Sequence, residues 1–220
     1  MKKALSLFLS LITVFLIFTA SVPVAFAAEG DAPLTIDVTD KNVVGIGKGA
    51  IFYDEDGYII TGTNENCDIN VYESSNITLR NLSAQSMSIN STDGVFVTIN
   101  LEGINELAED LSLYKDHIIF EGSDDAVFKA DYIYNGGNGE ASVTLNGGNI
   151  VFESVSRENF TVNCGKLIIN GGTLTASNDS FYVTGSSVEL NGGGLNIIST
   201  SQQYPAILKK ITMKKGALLT

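Results

Sequence analysis

Three pairs of tyrosines in this 220-residue chain are spaced so that their rings could form flat surfaces for a sugar. The members of each pair are 19, 20 and 22 residues apart, and the pairs are Tyr53–Tyr72, Tyr114–Tyr134 and Tyr182–Tyr204. An aromatic ring offers an apolar face with a polar edge, and the chain has no tryptophan to do this instead. We therefore take Tyr114, Tyr134, Tyr182 and Tyr204 as candidate carbohydrate-binding residues. The same spacing would also suit an aromatic stack inside a protein core.

Two groups of carboxylates could hold a metal ion. Asp54 and Asp56 lie just before a turn glycine, and Asp124 and Asp125 form a second acidic pair. Oxygen-rich turns of this kind suit Ca²⁺. These four residues are therefore candidate metal ligands, and Ca²⁺ is the one cofactor that the sequence suggests. The alternative is that they are ordinary solvated turn residues.

The element that must position all these side chains is an internal repeat. Residues 142–152, 166–176 and 187–197 align without gaps, and each reads as a short strand, Asn-Gly-Gly and a second short strand. Their asparagines, Asn146, Asn170 and Asn191, are 24 and 21 residues apart. Weaker copies precede them, in the segments that begin at Asn76, Val95 and His117. Such a spacing is the length of one coil of a β-solenoid.

Two all-β folds compete for this pattern. Asn-Gly between hydrophobic strands is a strong hairpin signal, which would give an antiparallel sandwich. A sandwich gives no reason for identical turns to recur at a constant period, whereas stacked coils do. We therefore predict a right-handed parallel β-helix with coils of about 20–24 residues, in which Asn146, Asn170 and Asn191 form a hydrogen-bonded ladder along the turns. We also predict a short helix over 105–114 as an excursion from one coil.

The cysteines follow from the same repeat. Cys67 and Cys164 are 97 residues apart, or about four coils. Since neighbouring strands are about 4.8 Å apart, the two thiols should be separated by roughly 20 Å along the axis. A disulfide needs Cα atoms within about 7 Å, so we predict that these thiols do not pair.

The ends of the chain predict export. Lys2 and Lys3, the apolar stretch 4–20 and the small residues around Ala27 read as a signal peptide over residues 1–27, with an uncleaved anchor as the alternative. The β-helix domain would then span 28–220 in a secreted or cell-surface protein. No second apolar run of membrane length follows, so no membrane span is expected in the mature chain. The pattern stops mid-coil at Thr220, which suggests a truncated array or an open edge strand.

Charge and missing motifs exclude several functions. Residues 28–208 carry 7 basic and 25 acidic side chains, a local charge of −18, and such a surface repels nucleic acids. Pectin-active hydrolases need paired carboxylates, but Asp93 and Asp124 are 31 residues apart, more than one coil. Lyases need an Arg or Lys base beside an acidic cluster, and neither Arg80 nor Arg157 has one. We assign no catalytic residue and keep hydrolase or lyase activity only as the second alternative.

Most of the mature chain resembles the clostridial carbohydrate-binding β-helix family, whose shape is related to that of polysaccharide lyases, and other bacterial surface proteins with Asn-Gly-Gly repeats. The segments that carry the resemblance are 57–62, 76–82, 97–107, 123–129 and the three Asn-Gly-Gly coils. It implies a non-catalytic protein that binds a polysaccharide or cell-wall glycan, in some members with calcium. The family repeats an Asp-Asp-Gly turn, of which only Asp124–Asp125 is present here. A structural adhesin or stalk segment is the first alternative.

Overall fold

The computed structural model describes residues 33–40, 50–52, 57–91, 94–136, 140–153, 162–177, 181–198 and 211–220. The predicted signal peptide lies outside these residues. The described residues form eighteen β-strands and no helix. The strands are β1 Leu34–Asp37, β2 Ala50–Phe52, β3 Tyr58–Val71, β4 Ser75–Ile89, β5 Phe96–Glu102, β6 Ile104–Leu107, β7 Asp110–Leu113, β8 His117–Gly122, β9 Val127–Ala130, β10 Tyr132–Asn135, β11 Ser142–Leu145, β12 Asn149–Glu153, β13 Val162–Ile169, β14 Thr173–Ser177, β15 Phe181–Leu190, β16 Gly194–Ile198, β17 Ile211–Met213 and β18 Leu218–Leu219.

Every strand pairing is parallel, and each coil contributes to three sheets in turn. The coil that begins with β8 continues through β9 and β10 before β11 pairs with β8 one level further along the axis. Sheet 1 contains β1, β5, β8, β11, β17 and parts of β3, β4, β13 and β15. Sheet 2 contains β6, β9, β12, β14, β16, β18 and the middle of β3 and β4. Sheet 3 contains β2, β7, β10, the ends of β3 and β4 and the starts of β13 and β15.

The predicted β-solenoid is thus confirmed. In the described residues, nine segments of sheet 1 stack in one continuous register. The stacked residues are Leu34, Tyr58, Ile77, Ile99, Phe120, Leu145, Ile169, Leu190 and Met213. Successive members are 19 to 25 residues apart, close to the range that the sequence repeat predicts.

The core is a single apolar column along the axis of the coils. Buried and partly exposed residues alternate along the strands, as in β8, where Ile118 and Phe120 are fully buried. The rings of Phe120 and Phe128 pack inside the same coil with centroids 5.3 Å apart, and Phe152 is buried in the next coil. Each such side chain contributes about 1.5–3 kcal/mol when it is removed from water. The period-two alternation therefore fixes which side chains of each strand face the solvent.

The predicted helix over 105–114 is wrong. Its residues form β6 and β7, in sheets 2 and 3, with a bend at 108–109 between them. Leu107 and Leu111 are four residues apart, which suits one face of a helix. In the solenoid, however, both are buried on two different sheets because the bend turns the chain between them. Parallel pairing with the coils on both sides overrides the local helical spacing.

The two thiols lie four levels apart, as the sequence predicts. The register runs from the end of β3 through β4, β7 and β10 to β13, so Cys67 and Cys164 belong to the first and last of five successive coils. Both thiols are buried and no disulfide joins them. Burial raises the pKa of the Cys164 thiol to about 12. No helix long and apolar enough to cross a membrane occurs in the described residues, which contain strands only.

Candidate functional site

The Asn-Gly-Gly segments form one continuous feature, here called the turn stack: residues 146–148, 170–172 and 191–193 at the corner between sheets 1 and 2. Asn170 Nδ2 donates to Asn146 Oδ1 and Asn191 Nδ2 donates to Asn170 Oδ1, both at 2.8 Å. Asn146 Nδ2 extends the line by donating to Glu121 Oε1 at 2.6 Å. The three candidate ladder residues are therefore joined side chain to side chain, and their amides are used within the protein.

Five of the six glycines of the turn stack, all except Gly148, leave no space for a Cβ. A Cβ on Gly171 would lie 2.4 Å from the carbonyl oxygen of Asn146, one coil away. Gly172 has a φ of +68°, and a Cβ there would lie 2.2 Å from the carbonyl oxygen of Gly148. Stacked turns bring backbone against backbone, so only glycine fits. This explains the repeat without any ligand.

Sheet 3 presents a different outer surface. Ser88, Ser112 and Tyr134 are direct partners on three successive coils and form a polar row. The residues just beyond the strand ends form a second row, which contains Tyr72, Asn90, Tyr114 and Gly136. No two neighbours in the second row are alike. Unlike the turn stack, these rows carry several side-chain types on an open surface.

A groove of about 170 Å³ lies between these two rows, and we name it the tyrosine groove. It is lined by Ser88, Ile89, Asn90, Ser112, Leu113, Tyr114, Tyr134 and Gly136. The side chains of Tyr114 and Tyr134 are 43% and 49% exposed. Both rings border Gly136, because a Cβ there would lie 3.7 Å from Tyr114 Cδ2 and 3.5 Å from Tyr134 Cε1. The groove thus has two exposed aromatic rings as walls, and its lining also includes two hydroxyl groups, the amide of Asn90 and the apolar residues Ile89 and Leu113.

The predicted tyrosine residues fall into three groups. Tyr114 and Tyr134 meet at the groove and are exposed, so the internal-stack alternative is wrong for this pair. They flank the groove and are not register partners, because Tyr134 pairs with Ser112. The backbone of Tyr182 pairs with that of Asn163, further along sheet 3. Tyr204 lies outside the described residues.

A buried carboxylate braces this corner, and sequence reasoning did not single it out. Asp116 is fully buried between sheets 3 and 1. Its Oδ2 accepts the backbone N–H of Tyr114 at 3.2 Å, and its Oδ1 accepts that of Val95, one coil earlier, at 3.0 Å. Buried charges of this kind are retained when backbone donors satisfy them. Asp116 therefore holds the chain where it leaves the groove, and its position just before the strand that begins at His117 was the only signal in the sequence.

Acidic groups border the groove on the side away from this corner. Asp110 Oδ2 accepts a hydrogen bond from the hydroxyl of Ser112, which lines the groove. Asp131 lies on the next coil, and its backbone N–H donates a hydrogen bond to the backbone carbonyl of Glu109 at 2.9 Å. Burial, and then the negative charges of Glu109 and Asp110, raise the pKa of the Asp131 carboxyl. Burial and the same carboxylates also raise the pKa of Tyr132.

The candidate metal ligands are not assembled into a cluster by the described part of the chain. Asp124 and Asp125 lie in the exposed turn between β8 and β9, where the hydroxyl of Ser123 donates to Asp125 Oδ1 at 2.5 Å. This hydrogen bond lowers the pKa of Asp125. Asp54 and Asp56 lie outside the described residues. Among the residues that are described, no group of three or more His, Cys, Asp or Glu side chains could hold a metal ion. Calcium binding stays a prediction.

The residues weighed for catalysis are engaged elsewhere or lie outside the described residues. His117 stacks on the exposed ring of Phe96 with centroids 4.5 Å apart, and its Nδ1 lies 2.7 Å from Ser142 Oγ. Arg80 forms an exposed ion pair with Glu102, whose carboxylate oxygen is 2.5 Å from Nε. Asp93 and Arg157 lie outside the described residues.

Comparisons with known proteins give no relative for this arrangement. No family model matches the chain. No curated protein and no solved structure matches it either. The function must therefore be argued from the groove itself.

Proposed function

We propose that this chain is a non-catalytic carbohydrate-binding β-solenoid whose ligand lies in the tyrosine groove. The observation that carries the proposal is the pair of exposed rings, Tyr114 and Tyr134, in one groove that also presents hydroxyl and amide groups. A sugar ring has one face of C–H groups and an edge of hydroxyls. The aromatic walls suit the first, and Ser88, Ser112 and Asn90 suit the second.

The size of the groove favours a polymer over a free small molecule. Sites that enclose a small ligand are usually about 300–1,000 Å³. At about 170 Å³ the tyrosine groove is smaller and shallow, so it would cover one side of a sugar unit. Affinity for a polysaccharide can then come from repeated contacts, since a long chain offers many identical units to several protein molecules on the same surface.

Two finer statements belong to the same proposal. We propose that the chain is related to the clostridial carbohydrate-binding β-helix proteins, on the strength of the sequence segments that resemble that family. We also propose that it is exported and works outside the cell or at its surface, on the strength of the signal-peptide pattern over 1–27. A polysaccharide or cell-wall glycan is the partner that such a location makes accessible.

A pull-down on insoluble polysaccharides tests the proposal. The purified protein is incubated with a panel of plant, fungal and bacterial wall glycans, with and without EDTA. We expect retention on at least one glycan and loss of most of it in the Tyr114→Ala/Tyr134→Ala double variant. Phe96→Ala is the matched control, because Phe96 is also an exposed ring, 60% accessible, but lies on sheet 1. Equal retention of all three proteins would contradict a site at the groove.

The EDTA arm separates the calcium prediction from the site. Loss of retention only in EDTA would place calcium in the binding reaction, and unchanged retention would remove it. Release of reducing ends or unsaturated sugars from pectin would instead establish the hydrolase or lyase alternative.

A structural stalk is the second candidate function. The unbroken register of sheet 1 and the ladder of the turn stack favour it, because both make a stiff rod without any ligand. A stalk would bind no glycan of the panel, and the two tyrosine substitutions would change nothing.

A further inference from the structure

We propose that the glycan of the tyrosine groove is a cationic one, a polymer of amino sugars whose nitrogens are free and protonated. This inference rests on the proposed function, since it concerns the ligand of the same groove. The groove, with its aromatic walls, is the site; the charges beside it decide which sugar chain it accepts.

The described part of sheet 3 carries acidic side chains and no basic ones. Asp68 and Asp110 face outward from its strands, and Glu109 and Asp131 stand at its border with sheet 2. No Lys or Arg occurs in the described strands of this sheet or among the residues that line the groove. All four carboxylates therefore lie on one surface without a cation of that surface to offset them.

The nearest lysines in the described chain face other partners. Lys115 follows Tyr114, but its Nζ lies 3.4 Å from Glu140 Oε2 at the corner with sheet 1. Lys129 belongs to β9 in sheet 2, where it is the register partner of Glu106. Neither forms an ion pair with the acids of sheet 3.

These carboxylates are connected to the groove by hydrogen bonds and register. The hydroxyl of Ser112, which lines the groove, donates a hydrogen bond to Asp110. Asp110 is in turn the register partner of Tyr132, two residues before the groove wall Tyr134. Ser86, on the coil between Asp68 and Asp110, donates to Asp68 Oδ1 at 2.6 Å, so the next carboxylate along this line lies two coils from Asp110. A ligand that lies along the groove is thus exposed to a row of negative charges parallel to the axis.

The crowding of like charges selects a cation. Burial, and after it the negative charges of Glu109 and Asp110, raise the pKa of the Asp131 carboxyl. An ammonium group brings positive charge and three hydrogen-bond donors, so it relieves this repulsion and meets acceptor oxygens at the same time. An N-acetylated sugar brings no charge, and a uronate adds repulsion. Electrostatic complementarity of this kind mainly sets which ligand is selected.

Titration calorimetry with soluble pentamers tests the inference. The ligands are the glucosamine pentamer, its fully N-acetylated form and a galacturonate pentamer, each at low and at high salt and at a pH where the amines are protonated. We expect the glucosamine pentamer to bind at least tenfold more tightly than the N-acetylated one. We also expect this preference to shrink at high salt, because screening weakens charge contacts.

Charge-matched variants locate the effect. Asp110→Asn/Asp131→Asn should lower the affinity for the glucosamine pentamer at least tenfold and that for the N-acetylated form by a much smaller factor. Asp124→Asn/Asp125→Asn removes the same two charges from a different corner and should change affinity less than twofold. An equal loss in both variants would overturn the inference, since net charge alone would then explain binding.

The outcomes separate this inference from the function on which it depends. Equal or tighter binding of the N-acetylated or galacturonate pentamer, still dependent on Tyr114 and Tyr134, would overturn the cationic ligand and keep the glycan site. Absence of binding to any sugar would overturn both. If polylysine competed as well as the glucosamine pentamer and the tyrosine variants bound normally, the surface would be a site for basic polymers, which also overturns the inference.

Discussion

The tyrosine groove lies on the coils that contain β4, β7 and β10, and the turn stack lies on the coils that follow, from β11 to β16. Both are built by the same parallel stacking, yet they differ in the side chains that they present. In the turn stack the same three residues recur on consecutive coils, and backbone atoms and amides fill the space between them. In the groove only a serine recurs, at Ser88 and Ser112, whereas the other positions carry different residues and the rings of Tyr114 and Tyr134 stay exposed. Asn-Gly-Gly recurs in the turn stack because the close stacking of the turns requires these residues. Where the side chains differ from coil to coil, as in the groove, the surface can select a ligand.

The largest test of this contrast is to add one methyl group to the turn stack. Gly172→Ala should lower the free energy of unfolding by about 2–5 kcal/mol, since strain at positive φ adds to a backbone overlap. Gly216→Ala is the matched control, because Gly216 also has a positive φ of +95° but has no atom within 4 Å of the added Cβ. It should lose only about 1–2 kcal/mol. Urea unfolding of both variants measures the difference.

Equal losses in the two glycine variants would mean that φ alone explains the repeat. The close approach of adjacent coils would then not be what restricts this position, and the contrast with the groove would lose its structural basis.

An intermediate effect is expected at the brace beside the groove. Asp116→Ala removes the acceptor of two backbone amides, so we expect a loss of about 1–3 kcal/mol in stability. Asp116→Asn keeps one acceptor oxygen and should lose less. Amide hydrogen exchange should accelerate at Tyr114 and Val95 in the alanine variant, while Asn170 in the turn stack keeps its protection. Uniform acceleration at all three amides would show that the two regions do not respond separately.

The smallest expected effect is a gain in stability rather than a loss, and it concerns Asp131 at the acidic border of the groove. The pKa of Asp131 is raised in the folded state, so its ionised form disfavours folding at neutral pH. Asp131→Asn should therefore increase stability at pH 7, by about 0.5 kcal/mol or less. The advantage should fade as the pH drops through the raised folded pKa, where the wild-type carboxyl takes up its proton. Urea midpoints at a series of pH values measure this, and a gain that persisted at low pH would contradict it.

The sequence predicted the repetitive part of the molecule better than the site. Asn146, Asn170 and Asn191 recur because stacked turns demand them, so their spacing alone leads to the solenoid. The sequence could not show that Tyr134 and Tyr114 lie in different rows. Coil length, measured between register partners in sheet 1, varies from 19 to 25 residues, and a difference of two residues moves a side chain to another row. Asp116 was missed for a related reason. Its role depends on Val95 of the preceding coil, which no local pattern shows.

The near-constant coil length also bears on how the chain folds. Each new coil closes a loop of 19 to 25 residues, and this range changes the closure entropy by only about 0.2 kcal/mol. Loop length therefore does not make any one coil the preferred folding nucleus. The order in which coils fold depends instead on how much apolar surface each of them buries. Among the described residues, three fully buried phenylalanine side chains, Phe120, Phe128 and Phe152, lie in two neighbouring coils. We expect folding to begin there and to propagate one coil at a time in both directions along the axis.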